Sequence, residues 1–110
     1  MFKSLFKRVQ INIEVQTDYN CYLYNGSSKI PGVIHLNTEF LTFTVRGFEH
    51  TYLNLNLAYT SISNVNNYKL FNIETAGLSI LDIHGTKIIF ILDDHLFLYT
   101  QLQILINSNQ

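Results

Sequence analysis

Cysteine, proline and tryptophan are almost missing from this chain of 110 residues, which holds one Cys, one Pro and no Trp. A lone cysteine, Cys21, forms no internal disulfide, and no cysteine pair offers zinc a site. A domain that stands without disulfides is expected in a reducing compartment, here the cytoplasm. Charge is also sparse, at 14% of residues with a net value of −1, so no whole-chain field attracts polyanions and no nucleic acid partner is expected. Long apolar runs are lacking too. The longest, Ile88 to Leu92, falls far short of the roughly 20 residues that span a bilayer. The stretch around Lys3, Lys7 and Arg8 has no apolar core of signal-peptide length. No glycine-rich phosphate loop, nucleophile elbow or paired-carboxylate motif occurs. His35, His50, His84 and His95 share no metal-ligand spacing. The expectation is therefore a protein with no catalytic activity, no cofactor and no metal.

What is present is core material. Hydrophobic residues make up 47% and aromatics 14%, a globular balance, and the length allows one core. Phe2, Leu5, Phe6 and Val9 recur at helical spacing, which marks residues 1–9 as an amphipathic N-terminal segment. Val9, Ile11, Ile13 and Val15 then alternate with polar residues, the pattern of a half-buried strand. Further β-prone runs follow at Tyr19–Tyr24, from Pro31-Gly32 to Leu36, and from Leu41 to Val45. Others are Leu53–Leu57, Val65–Phe71, Leu78–Asp82 opened by Gly77, and Thr86–Leu92. Asn25–Lys29, Asn37-Thr38-Glu39, Arg46-Gly47 and His84-Gly85 supply turns. Pro31 lacks a donor and belongs at a strand start or an edge. Asp93 and Asp94 are N-cap candidates for a last helix whose stripe is Leu98, Leu102, Leu105 and Ile106. The predicted fold is mainly β (α+β), a bent antiparallel sheet or partly open barrel of about seven strands capped by one C-terminal helix. The domain is placed at 10–107 with 108–110 as a tail, and the polar run Asn107 to Gln110 is expected to fray.

Three stretches carry a family pattern. Gly32-Val33-Ile34-His35-Leu36-Asn37 followed by Leu41 and Phe43 is one, and Ile62 with Val65 is the second. Gly77-Leu78-Ser79-Ile80 with Gly85 and Phe90 is the third. In this order, and followed by an apolar helix, they resemble the GRAM branch of the PH-like superfamily over about Gly32 to Ile106. Two positions depart from that pattern: Asn37 stands where threonine is usual, and His84 where an acidic or amide residue is. The resemblance implies a scaffold that binds anionic lipids or protein segments, and a fold alone does not fix which.

Two surfaces follow from the residues. On a helical wheel Phe97, Tyr99, Gln101 and Ile104 flank the core stripe, and the apolar arc is wider than the roughly 100° one packed face requires. These four are the candidate contacts for a protein partner or for self-association, with peptide addition at a sheet edge as a companion mode. Phe2, Lys3, Lys7 and Arg8, with Lys29 in the first turn, are the candidates for an anionic membrane. Lys29 alone is too little charge to grip a multiply phosphorylated headgroup.

Overall fold

The computed structural model describes residues 17–48, 51, 53–70 and 74–110. The Val9–Val15 alternation and the amphipathic segment 1–9 lie outside them. Among the described residues the chain forms seven antiparallel strands in one open sheet, followed by one C-terminal helix. The strands are β1 (Asp18–Tyr24), β2 (Lys29–Leu36), β3 (Phe40–Val45), β4 (Leu55–Ala58), β5 (Ile62–Leu70), β6 (Glu74–Asp82) and β7 (Lys87–Ile91). The helix α1 spans His95–Ser108. The strand order is β4-β3-β2-β1-β7-β6-β5, so two meanders join where β1 meets β7. Only Tyr22, Leu23 and Tyr24 of β1 pair with β7, while the whole of β1 pairs with β2.

Turn chemistry explains the local hairpins. The Asn25 side-chain oxygen accepts from the Ser28 amide at 2.9 Å, and Gly26 takes the positive φ of 95° that a bulkier residue resists. Asn37 closes the β2–β3 turn alike, accepting from the amides of Glu39 and Phe40 at 3.0 and 2.9 Å. Pro31 sits third in β2, and its carbonyl accepts from the Arg46 amide at 2.9 Å where β3 ends. β2 is an inner strand, so this departs from the expected strand start or edge; the missing N–H forgoes only the return bond to Arg46, one residue past the end of β3.

Two sequence expectations need correction here. Gly77 does not open β6 but lies inside it, beside a register shift in which Tyr68 pairs with Gly77 and Lys69 with Thr75. Residue 76 is the extra one, and such bulges bend a strand. The second concerns α1. Asp94 occupies the N-cap position, but its carboxylate makes no cap hydrogen bond; at φ −86° and ψ 31° it lacks the extended backbone that aims an N-cap side chain at the free amides. Its charge still stands at the positive end of the helix.

The core lies between the inner faces of the sheet and α1. Tyr19, Cys21, Ile34, Leu41, Phe43, Leu78, Ile80, Phe90, Leu98 and Leu102 are all buried in it. Phe43 and Phe90, from the two meanders, bring their rings to 5.5 Å at a 46° tilt, a geometry that adds about 1 kcal/mol to their burial. The end of α1 is joined to the β2–β3 turn. The Asn109 side-chain amide donates to Thr38 O at 3.0 Å and Leu105 O at 2.8 Å, satisfying a carbonyl the helix would otherwise leave open.

Candidate interaction surfaces

The fourteen residues of α1 contain no Asp, Glu, Lys or Arg. Burying Leu98, Leu102 and Ile106 uses one face, and Tyr99 and Leu105 pack partly against the same core. The outer face carries Leu96, Phe97 and Ile104, exposed by 62, 48 and 59%. Leu96, Thr100 and Ile104 are spaced four apart, so they line up along the outside of the helix over about 12 Å. A solvent-facing helix ordinarily offers charge at such positions.

The sequence candidates divide accordingly. Phe97 and Ile104 lie on the exposed face. Tyr99 turns toward the core. Gln101 is half-buried, and its side-chain oxygen accepts from the Tyr19 hydroxyl, tying α1 to β1. Burial, helped by the charge of Asp94, pushes the Tyr19 phenol up to about 12, so it stays a donor. Leu96 escaped the sequence reading; its i, i+4 spacing to Thr100 and Ile104 was the available signal. α1 packs on β5 and β6. Among the described residues β5 is an outer strand of the sheet, nine residues long with Lys69 as its one charged residue, and no described strand pairs with its outer edge, which lies beside the exposed helix.

A second surface forms at the other end of the sheet. The Lys29 ammonium stands 5.8 Å from the centroid of the Tyr22 ring. Lys29 and Arg46 line one depression of about 380 Å³ together with Phe48, which is 66% exposed. Arg46 donates to the Asn20 side-chain oxygen at 3.1 Å, and among the described residues neither cation has a carboxylate partner. Sequence reading gave Arg46 only as a strand end; pairing of β2 with β3 brings it to Lys29. Phe2, Lys3, Lys7 and Arg8 lie outside the described residues.

Asp82, His35 and His95 bond within the fold. Asp82 accepts from the amides of His84 and Thr86, both at 2.9 Å, within the β6–β7 turn. His35 bonds Asp18 across β1 and β2, with both side chains exposed. His95 contacts the Leu92 carbonyl at 3.2 Å. Among the described residues no group of three or more His, Cys, Asp or Glu gathers to hold a metal. Nor is any described helix long and apolar enough to cross a membrane.

No family model matches the chain, and no curated protein matches it. Among solved structures it is similar to the C-terminal domain of an unknown protein from Leishmania infantum, with a TM-score of 0.72. That likeness covers 96% of this chain and 98% of the other at 13% identity, and so concerns the fold.

Proposed function

We propose that this chain is a GRAM-like, PH-type binding module of the cytoplasm, without catalytic activity, that associates with protein through the outer face of α1 and the neighbouring β5 edge. The carrying observation is the charge-free helix with Leu96, Phe97 and Ile104 exposed along it. Contiguous exposed apolar surface is the usual mark of an interface. The test is the pair Phe97→Asp with Ile104→Asp, followed by sedimentation equilibrium and circular dichroism. A native-like spectrum with loss of concentration-dependent association supports the reading. An unchanged association state in a folded variant removes self-association through this face.

A second reading has its own support in Lys29 and Arg46 beside exposed Tyr22 and Phe48. Two cations with two aromatics suit a peripheral contact with an anionic membrane, to which Lys3, Lys7 and Arg8 would add charge. At about 1 kcal/mol per cation such binding is weak and salt-sensitive. Flotation with phosphatidylserine vesicles at low and high salt tests it. Loss of binding in Lys29→Ala with Arg46→Ala is expected, and binding that ignores both changes and salt would refute it.

A further inference from the structure

Both hydroxyls on the outer face of α1 are bonded within the helix itself. Thr100 Oγ1 donates to the Leu96 carbonyl at 3.1 Å, and Ser108 Oγ to the Ile104 carbonyl at 2.8 Å. A donor satisfied inside its own helix loses little when water leaves, whereas an unmet one resists burial. Around them stand Leu96, Phe97, Ile104 and Asn107, all exposed and none charged. This face can therefore be covered without stranding a hydroxyl or a charge.

The spacing on this face is symmetric about Thr100. Leu96 and Ile104 lie four residues to either side of it, about 6 Å along the axis each way. Two copies of α1 laid antiparallel across Thr100 therefore set Leu96 of each against Ile104 of the other, with the short Thr100 side chains at the crossing. Rows of residues four apart pack helix on helix with axes about 8–10 Å apart. At the wider end of that range the two Thr100 Cα atoms, each about 2.3 Å off its axis, stand about 5 Å apart. Charge selects the antiparallel sense. Asp93 and Asp94 precede the helix, and both are exposed. A parallel pair would bring four carboxylates together, whereas an antiparallel pair holds the two sets about 20 Å apart, beyond the roughly 8 Å reach of charge in physiological salt. The same aspartates, and the lack of Lys or Arg in α1, argue against an anionic membrane on this face, because helices lying in that interface carry cations beside their apolar side.

We propose that two copies of this chain form a two-fold dimer through antiparallel α1 helices that cross at Thr100. The dimer rests on the association through α1 proposed above and names its partner. A charge-free face gives a charged partner nothing to select it by, and a second copy supplies the matching neutral, apolar row in the self-complementary way that a two-fold contact requires. Two helices of about 21 Å cover less than the roughly 800 Å² per partner of a standard interface. Half-association near about 100 µM is therefore expected.

Cysteine cross-linking of the full chain tests it, because the two Thr100 Cα atoms fall within the range of about 4.4–6.8 Å that a disulfide spans. Thr100→Cys, Leu96→Cys and Ile104→Cys are each oxidised with copper phenanthroline, and the products are read by mass. Cys21 stays in place because it is buried, and wild type and Ser27→Cys, on an exposed turn, measure chance collision. Thr100→Cys is expected to link to itself at least about tenfold faster than Ser27→Cys. Leu96→Cys and Ile104→Cys should each link slowly alone and more readily when mixed. Self-linking of Leu96→Cys in preference to the mixture shows a parallel pair and overturns the proposal. So does a Thr100→Cys rate no higher than that of Ser27→Cys in a chain that sedimentation shows to associate; loss of that association in Phe97→Asp with Ile104→Asp would still uphold association through α1. A wild type that stays monomeric to about 1 mM overturns the dimer and leaves the face to a different protein. Association that the double variant leaves unchanged removes both.

Discussion

The hydroxyl of Tyr59 donates to the main-chain carbonyl of Asn37 at 2.8 Å, joining positions 22 residues apart. Tyr59 begins the 3₁₀ turn Tyr59–Ser61 that carries the chain from β4 to β5, and Asn37 is the first residue of the β2–β3 turn. Thr38 in that turn also accepts from Asn109 at the end of α1. One hairpin tip thus anchors both the link between the meanders and the tail of the capping helix.

Tyr59→Phe keeps the buried ring and removes the hydroxyl, so it should cost about 1 kcal/mol in urea unfolding. Burial pushes the Tyr59 phenol up to about 12 from an ordinary 10.0. A raised folded-state value means its contribution is fully present below pH 10 and is lost as pH rises toward 12. The gap between wild type and variant should therefore narrow on the alkaline side. A constant gap from pH 8 to 12 would deny the phenol that role.

Gly77→Ala should be far more costly. A β-carbon there falls on the Phe90 carbonyl oxygen and lies 2.9 Å from the Ile91 Cα, both backbone atoms that no side-chain rotation can move. Forcing β6 away from β7 should cost about 3 kcal/mol or more. Thermal unfolding measures it, with Gly85→Ala as a contrast: nothing lies within 4 Å of that position, and its cost comes only from the positive φ of 90°.

Much of this was readable in the sequence wherever the cause is local. The Asn37-Thr38-Glu39 turn lies between period-two runs, and its hairpin follows from a side chain capping its own backbone. The helix was legible from its leucines because burying one face needs residues three and four apart. Its rotation was less so: Ile106 rather than Leu105 continues the buried line of Leu98 and Leu102, which turns Tyr99 toward the core. The pairing of Tyr22 with Ile91 carries no local signal, because strand partners distant in sequence are chosen by the closing of the whole sheet. For the same reason the meeting of Arg46 with Lys29, and the reach of Arg46 to Asn20, had to await the fold.

Asp82 gives a pH test in the opposite direction. Its carboxylate is held below the ordinary 3.8 first by the Thr86 amide, against a desolvation cost second in size, with the His84 amide and charge and the Gly85 amide adding to the lowering. A depressed folded-state value means the stabilisation is present above pH 3.8 and is lost as pH falls through the folded value. Asp82→Asn should be less stable than wild type at pH 7, with the difference shrinking in acid. A difference that grows below pH 4 would contradict this assignment of the turn.

Cys21 offers a direct measure of how β1 opens. Its thiol is pushed up to about 12 by burial, which outweighs the Ile34 backbone hydrogen bond and the charge of Arg46, both acting to lower it. The side chain is 4% exposed and faces the core beneath the site where β1 pairs with β2. Reaction with iodoacetamide needs a thiolate that the reagent can reach. At pH 8 the folded chain should therefore be alkylated at least about a hundredfold more slowly than the chain in urea, because labelling waits for β1 to separate from its neighbours. The same measurement on Tyr19→Phe, which loses the bond from β1 to Gln101 on α1, should show faster labelling if that bond helps hold the strand against the helix. Equal rates in wild type and variant would mean that β1 opens independently of α1.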